Sequence, residues 1–239
     1  MSYIYDLVKG QEESLKLLYS QGYSVSSIPG YVKGSIKVCE AQTIYSLIKD
    51  KQYENILDVG TGPGFSCLYM AKALKDAGGN GKVTTIDIKT EFTEKARSLI
   101  RKFGLEEYVE FISGDSTDVL GAMPPASFDL TIIDGQHKYD QCKKDFTQAD
   151  KLVSPGGCIV FDDIYLRPEH NPGPRNVFQE IDESKGELYY FEEKIFDIFQ
   201  YMEDISEISR MKEKWNLRHG SFVLKESNPK EVMGFFFKK

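Results

Sequence analysis

Three acidic residues and one histidine lie just beyond two candidate strands of this chain. Asp134 ends the apolar run at 129–134, and Asp162 and Asp163 end the run that begins at Cys158. If the two strands are neighbours in a sheet, the three carboxylates meet at one edge, and such a cluster requires a cation. Hard oxygen ligands select magnesium, calcium or manganese over zinc, and we expect magnesium. A polar strand end followed by a turn is the alternative.

His137 follows Asp134 by three residues. If a helix begins there, the imidazole projects from its first turn towards the same carboxylates. Because the intrinsic pKa of histidine is near neutral, His137 suits the removal of a proton from a substrate. We therefore expect His137 and Asp134 to be catalytic, and Asp134, Asp162 and Asp163 to hold the metal. A structural or surface histidine is the alternative.

A glycine-rich turn with the pattern G-x-G-x-G follows the first candidate strand, at Gly60, Gly62 and Gly64. Glycines there let the backbone turn tightly and approach a ligand closely. The dinucleotide pattern G-x-G-x-x-G has a different spacing and must admit a pyrophosphate, which the carboxylate of Asp58 would repel. An ammonium group would be attracted instead, which favours the amino-acid end of S-adenosylmethionine. A purely structural turn is the alternative.

Two further acidic residues follow the next candidate strands. Asp87 ends the second strand, where a carboxylate can accept hydrogen bonds from both hydroxyls of a ribose. Asp115 follows the third strand and could accept a hydrogen bond from the exocyclic amine of adenine. A single acid is more often a solvated loop charge, but consecutive strand ends form the ligand-binding edge of a doubly wound sheet. We therefore expect a nucleoside along this edge.

The elements that must position these residues alternate along the chain. Short apolar runs predict buried parallel strands at 55–59, 83–88, 109–113, 129–134 and 158–162. Further strands are predicted near 188–195 and 221–225. Helices lie between the runs, and the pattern predicts a Rossmann-like, doubly wound α/β domain with a mostly parallel, seven-stranded sheet flanked by helices.

Helical spacing gives two apolar stripes that would pack on the sheet. One consists of Phe92, Ala96, Leu99 and Phe103, and the other of Cys142, Phe146, Ala149 and Val153. Residues 154–157 (Ser-Pro-Gly-Gly) are predicted to end the second helix and turn the chain. Residues 1–50 are predicted to form a small N-terminal helical cap, with helices at 14–19 and 41–48, and residues 51–239 to form the catalytic domain. The proline-rich loop at 167–175 is predicted to be an acceptor-binding lid.

The order DVGTGPGFS, TIDI, SGDS, IIDGQHKY, PGGCIVFDD resembles the class I methyltransferases, specifically the O-methyltransferase branch with its catechol-type and metal-dependent sugar O-methyltransferases. The resemblance runs from about residue 34 to 164, roughly half of the chain. It implies that Gly60, Gly62, Gly64 and Ser66 line the methionine end of the cofactor, that Asp87 binds its ribose, and that Asp115 and Ser116 face its adenine. We extend the expected cofactor contacts to Asp58, Thr61, Ile88, Asp134 and Gln136.

The resemblance also bears on the acidic cluster. In metal-dependent sugar O-methyltransferases, an Asp-x-x-His step like that of Asp134 and His137 supplies a metal ligand and the base, and an acidic pair after the next strand completes the site. Catechol-type relatives resemble the chain at Asp134 and Asp162, but usually carry lysine in place of His137 and asparagine in place of Asp163. This departure weakens the assignment of the acceptor as a catechol and leaves sugars, phenols and polyketides as alternatives.

The leading hypothesis is O-methylation of a small hydroxylated acceptor, whose hydroxyl loses its proton near the cation and attacks the sulfonium methyl group. Metal-independent methylation at nitrogen or oxygen, with His137 alone as base, is the alternative. A non-catalytic S-adenosylmethionine-binding protein would have no use for a base beside a cation. A dinucleotide oxidoreductase is disfavoured by the glycine spacing.

Composition limits the partners and the compartment. The formal net charge of −7 gives no general attraction to nucleic acid, and no apolar stretch is long enough for a membrane span. The first residues do not form a basic start followed by an apolar core, so we expect a cytoplasmic protein. The four cysteines form no CxxC pair and are expected to be reduced core thiols. Relatives of this type often associate, so a homo-oligomer is a further expectation.

Overall fold

The computed structural model describes residues 35–36, 38–164, 173–190 and 233–239 of the chain. The strands in this part are β1 (Asn55–Val59), β2 (Lys82–Asp87), β3 (Val109–Ser113), β4 (Phe128–Ile133), β5 (Val153–Phe161), β6 (Gly186–Tyr190) and β7 (Gly234–Lys238). They form one seven-stranded sheet in the order β3-β2-β1-β4-β5-β7-β6. The first five strands pair in parallel, whereas β7 is antiparallel to both β5 and β6. The order reverses between β1 and β4, and such a reversal opens a ligand-binding crevice at the carboxyl ends of the strands.

Helices cover both faces of this sheet. They are α1 (Val38–Lys51), α2 (Phe65–Ala77), α3 (Thr90–Lys102), α4 (Ser116–Gly121), α5 (Tyr139–Leu152) and α6 (Gly173–Gln179). Successive strand residues point to opposite faces, so Ile56 packs in the cluster that contains Phe65, whereas Leu57 and Val59 pack in the cluster that contains Leu120. Helix α1 packs on α2, and α5 packs on α4 and α6.

The predicted fold class is confirmed, because each of the five apolar runs forms one of the parallel strands. The helix predicted at 41–48 lies inside α1, and the strand predicted at 188–195 overlaps β6. The helix predicted at 14–19 and the strand predicted at 221–225 lie outside the described residues. Of the predicted lid at 167–175, only residues 173–175 are described, and they begin α6. The division at residue 50 stays a prediction.

Two local predictions are wrong. Residues 154–157 lie within β5, between Val153, which pairs with Phe128, and Cys158, which pairs with Leu130. Four residues therefore lie opposite one, and they form an irregular bulge rather than a turn between a helix and a strand. The second wrong prediction is that Phe103 belongs to the apolar stripe of α3. The helix ends at Lys102, and the side chain of Phe103 is 41% exposed.

The buried thiols agree with the prediction of reduced cysteines: Cys67, Cys142 and Cys158 are buried and free, whereas the side chain of Cys39 lies outside the described residues. Among the helices that the structure describes, none has the length and hydrophobicity that a membrane span requires.

Candidate functional site

A cleft of about 830 Å³ opens at the carboxyl ends of β1, β2, β3 and β4. Its walls come from the loops that follow these strands, with a contribution from Ser35 and Ile36 ahead of α1. The predicted cofactor residues that line it are Gly60, Thr61, Gly62, Ser66, Asp87, Ile88, Asp115, Ser116, Asp134 and Gln136, and His137 lines it as well. The fold therefore brings together all the predicted cofactor residues except Asp58 and Gly64.

The glycines of the turn have different structural tasks. Gly60 (φ +113°) passes so close to the loop after β4 that an added Cβ would lie 2.2 Å from the carbonyl oxygen of Asp134. Gly64 (φ +94°) is closed off by α3, because its Cβ would lie 2.6 Å from the Cβ of Ala96. Only Gly62 (φ +49°) of these glycines faces open space, with nothing within 4 Å of an added Cβ. Close packing requires Gly60 and Gly64, whereas Gly62 leaves room for a ligand.

This difference predicts opposite effects of two alanine substitutions. We expect Gly60→Ala to lower the free energy of unfolding by about 3 kcal/mol or more, because the new methyl group would overlap the Asp134 carbonyl. Gly62→Ala is the matched control, and only its left-handed backbone is strained, by about 1–2 kcal/mol. Urea unfolding followed by circular dichroism measures both. Equal losses in the two variants would contradict the close approach at Gly60.

Asp58 lies beneath the glycine turn and is fully buried. The Thr85 hydroxyl donates to Asp58 Oδ2 at 2.7 Å, and Thr61 Oγ1 lies 2.7 Å from the same Thr85 oxygen. When Asp58 is ionised, it uses the single hydroxyl proton of Thr85, so Thr61 must donate to Thr85 and a chain of hydrogen bonds ties the turn to Asp58. Burial, followed by the charges of Asp134 and Asp87, raises the pKa of Asp58 from its usual 3.8 to about 7, although the Thr85 and Ser66 hydroxyls lower it.

The pKa of Asp58 predicts how stability varies with pH in the ligand-free protein. Between pH 3.8 and about 7, the unfolded chain releases this proton and the folded chain keeps it, so rising pH favours unfolding. Asparagine cannot ionise. We therefore expect Asp58→Asn to gain stability relative to the parent as the pH rises from about 4.5 to about 7.5. Urea unfolding at several pH values tests this, and a constant difference between the two proteins would contradict it.

The two acids predicted to bind the nucleoside, Asp87 and Asp115, both contact backbone amides. Asp87 accepts hydrogen bonds from the amide of Gly62 at Oδ2 (2.9 Å) and from the amide of Lys89 at Oδ1 (2.8 Å). These bonds hold its carboxylate in the cleft wall beside the glycine turn. Asp115 caps α4, because its Oδ1 accepts a hydrogen bond from the Thr117 amide at 2.8 Å. An adenine amine could still donate a hydrogen bond to Asp115, because its Oδ2 is not used by this cap.

Asp134, His137 and Asp163 converge beside the cleft, with their metal-binding atoms within 4.8 Å of one another. His137 Nδ1 lies 3.2 Å from Asp163 Oδ2, and His137 Nε2 lies 3.6 Å from Asp134 Oδ1. Two carboxylates and one imidazole nitrogen are a donor set that fits a divalent cation. Asp162, the third predicted carboxylate ligand, is 6% exposed and does not belong to this converging group.

The loop between β4 and α5 holds His137 in place. Helix α5 begins at Tyr139, so the helical position predicted for His137 is wrong. Gly173 of α6 packs on this loop so closely that an added Cβ would lie 2.1 Å from the carbonyl oxygen of His137. Burial lowers the pKa of His137, but the neighbouring carboxylates of Asp134 and Asp163 outweigh it, so the pKa is raised. Without a cation, the two carboxylates therefore stabilise the protonated imidazole of His137.

Sequence reasoning missed two polar residues of α5. Gln141 lines the cleft, and Asp145 is 1% exposed. The signal for Asp145 was present, because the buried residues of α5 are Cys142, Asp145, Ala149 and Leu152. An aspartate at helical core spacing requires hydrogen-bond partners.

Comparisons with known proteins agree with this geometry. Residues 57–164 match a family described as a methyltransferase domain. A caffeoyl-CoA O-methyltransferase of Populus kitakamiensis is 30% identical over 167 residues, which cover 67% of this chain and 68% of that protein. A catechol O-methyltransferase of Niastella koreensis is 29% identical, with 68% of this chain and 71% of that protein covered. A catechol O-methyltransferase of Mycobacterium tuberculosis is 29% identical, but the match covers 47% of this chain and only 49% of that protein.

Solved structures show the same fold. The O-methyltransferase from Bacillus cereus in complex with S-adenosylhomocysteine has a TM-score of 0.62 at 18% identity, with 96% of this chain and 91% of that chain covered. An O-methyltransferase from Streptomyces achromogenes involved in tomaymycin synthesis, in complex with S-adenosylmethionine, has a TM-score of 0.61 at 19% identity, with coverages of 95% and 96%. The chain belongs to the family of class I S-adenosylmethionine-dependent O-methyltransferases.

Proposed function

We propose that this chain transfers the methyl group of S-adenosylmethionine to a hydroxyl oxygen of a small acceptor molecule, with a divalent cation at Asp134 and Asp163 and with His137 as the base. One observation carries the proposal. The cluster of Asp134, His137 and Asp163 adjoins the same cleft as the glycine turn and Asp87, which supports a proposed base and cation site next to the proposed nucleoside site.

Support for the cofactor comes from the residues of the cleft wall. Gly62 leaves space for a ligand, and the Asp87 carboxylate lies where it can accept ribose hydroxyls. Asp58 does not line the cleft, so its predicted attraction for an ammonium group would act through its charge beneath the turn. When bound, S-adenosylmethionine supplies an electrophilic methyl carbon on a sulfonium sulfur.

Support for proton removal comes from the contacts of His137. Its Nε2 lies 3.6 Å from Asp134 Oδ1, beyond hydrogen-bond distance, and is buried without a hydrogen-bond partner among the described residues. In the neutral imidazole, this nitrogen is therefore the one whose lone pair would take the proton of an acceptor hydroxyl placed against it. The carboxylates of Asp134 and Asp163 stabilise the positive charge that His137 then gains. A new oxygen–carbon bond replaces the carbon–sulfur bond, and His137 keeps the hydroxyl proton.

The metal part of the proposal rests on the two carboxylates of the converging group, because His137 is the proposed base. Asp134 and Asp163 would hold magnesium, with Asp162 as the further ligand expected from the sequence. When bound, the cation would lower the pKa of a nearby acceptor hydroxyl. Metal-independent transfer is the second candidate, and one observation favours it: His137 lies between two carboxylates that can charge and orient the imidazole without a cation.

The acceptor class follows from the family and from two residues. The relatives named above are catechol and caffeoyl-CoA O-methyltransferases, which favours a small hydroxylated acceptor. His137 and Asp163 stand where catechol-type enzymes usually carry lysine and asparagine. We therefore propose an acceptor other than a simple catechol, with sugars and hydroxylated polyketides as the first candidates.

A direct assay tests the proposal. The purified chain is incubated with methyl-labelled S-adenosylmethionine, magnesium and a panel of phenols, sugars and hydroxylated polyketides, and products are analysed by mass spectrometry. We expect an O-methylated product and an equal amount of S-adenosylhomocysteine. Calorimetry with S-adenosylhomocysteine is run in parallel. No measurable affinity would overturn the proposal, whereas affinity without transfer to any acceptor would favour the non-catalytic binding protein.

A further inference from the structure

A buried carboxylate interrupts the apolar stripe of α5. Asp145 is 1% exposed and lies between Cys142 and Ala149, both of which are buried. Burying a carboxylate is unfavourable unless hydrogen-bond donors surround it. Asp145 takes no part in the proton or methyl transfer proposed above, so the reason for its position must lie in the groups that it contacts.

Two side chains of the cleft wall donate hydrogen bonds to Asp145. The Ser116 hydroxyl donates to Asp145 Oδ1 at 2.7 Å, and the Gln141 amide nitrogen donates to the same oxygen at 3.0 Å. The Gln141 nitrogen is also 3.1 Å from Ser116 Oγ and 3.0 Å from Thr117 Oγ1. Because the Ser116 proton is used by Asp145, Ser116 can only accept from Gln141. Acceptors therefore surround the Gln141 nitrogen.

This network fixes which way the Gln141 amide points. If the amide were flipped, its oxygen would lie about 3 Å from the carboxylate oxygen of Asp145, and two acceptors would face each other without a proton. The Gln141 carbonyl oxygen must therefore point away from Asp145. It accepts no hydrogen bond from the part of the chain that the structure describes, and Gln141 lines the cleft. Gln141 is thus a residue of the cleft wall whose carbonyl oxygen has a fixed direction, away from Asp145.

Gln141 lies at the nucleoside side of the cleft. Gln141 contacts Ser116 and Thr117, which follow β3, and β3 is the edge strand next to β2 and Asp87. We propose that Asp145 is a positioning residue that holds the Gln141 carbonyl towards the purine, so that the cleft selects a 6-amino purine, which donates a hydrogen bond there, over a 6-oxo purine, which cannot. The amine has two protons, so a bond to Gln141 is compatible with the bond expected to Asp115. This inference rests on the proposed binding of S-adenosylmethionine.

The test compares S-adenosylhomocysteine with its deaminated analogue S-inosylhomocysteine, in which an oxo group replaces the 6-amino group and N1 changes from a hydrogen-bond acceptor to a donor. The change of their affinity ratio in the variants, and not the parental ratio alone, therefore reports on the contact of the 6-amino group with Gln141. Calorimetry is done at about pH 8, because burial raises the pKa of Asp145 and the site must be ionised. We expect the parent to bind the amino ligand about tenfold or more tightly than the oxo ligand. Asp145→Asn, in which the Gln141 amide can flip, and Gln141→Met, which lacks the carbonyl, are each expected to reduce this preference to about threefold or less.

Asp129→Asn is the matched control, because Asp129 also accepts two hydrogen bonds, from the amides of Glu54 and Asn55, but lies outside the cleft. It is expected to keep the parental preference. Partial unfolding of a variant would lower the affinities for both ligands by the same factor and leave the ratio of the affinities unchanged. If Asp145→Asn does not fold, Gln141→Met alone provides the test. If the parent binds S-adenosylhomocysteine and Gln141→Met keeps the parental ratio of the two affinities, this inference is overturned and the proposed function is not affected. Failure of the parent to bind either ligand overturns the proposed function and this inference with it.

Discussion

Asparagine in place of Asp134 is expected to lower kcat/KM for methyl transfer by about 10³-fold. The substitution keeps the size of the side chain and removes a negative charge that lies 3.6 Å from His137 Nε2. His137 then loses part of the stabilisation of its protonated form, and the proposed cation loses a ligand. Steady-state kinetics at fixed magnesium concentration, with the acceptor found by the panel, measure the effect.

Asp129→Asn is again the control for this substitution, because Asp129 lies on β4 and Asp134 directly follows the same strand at its carboxyl end. We expect Asp129→Asn to keep at least about half of the parental kcat/KM. Calorimetry separates catalysis from binding, and the affinity of Asp134→Asn for S-adenosylhomocysteine is expected to stay within about tenfold of the parent. An Asp134→Asn enzyme with more than about a tenth of the parental kcat/KM would contradict the catalytic role of Asp134.

The parallel strands and the cleft were predictable because both depend on local pattern. A strand that is covered on both faces appears in the sequence as a continuous apolar run. The first polar residue or glycine after the run marks its carboxyl end, where ligands bind. Asp87 and Asp134 therefore line the cleft as predicted. The antiparallel strands β6 and β7 were harder, because Gly234–Lys238 pairs with β5 from a distant part of the sequence and no local signal shows this partner.

The tasks of individual residues depended on tertiary contacts. G-x-G-x-G does not show that Gly60 is required by the Asp134 carbonyl or Gly64 by Ala96. Likewise, the motif does not show that Asp58 is buried beneath the turn rather than exposed in the cleft. In each case the deciding atom belongs to another element, and spacing along the chain carries no information on it.

Magnesium dependence separates the two candidate mechanisms. If the proposed metal-dependent mechanism holds, removal of divalent metal by a chelator is expected to lower turnover by about 10²-fold or more, and added magnesium is expected to restore it, because the proposed cation would lower the pKa of the acceptor hydroxyl. The measurement is the initial rate with chelator, with and without excess magnesium. Rates that do not respond to the chelator would favour the metal-independent candidate and leave the methyltransferase assignment unchanged.

Single substitutions of Asp162 and Asp163 can show which of these two carboxylates binds the metal. Asp163→Asn removes one charge from the converging group of Asp134, His137 and Asp163, and we expect the magnesium concentration for half-maximal activity to rise by about 10–100-fold. Asp162→Asn is the paired measurement, because Asp162 was expected from the sequence to be a ligand but is not in that group. If this magnesium concentration rises equally in both variants, Asp162 also belongs to the metal site. If it rises in neither, and calorimetry shows intact binding of S-adenosylhomocysteine, the carboxylates near His137 serve only to stabilise its charge.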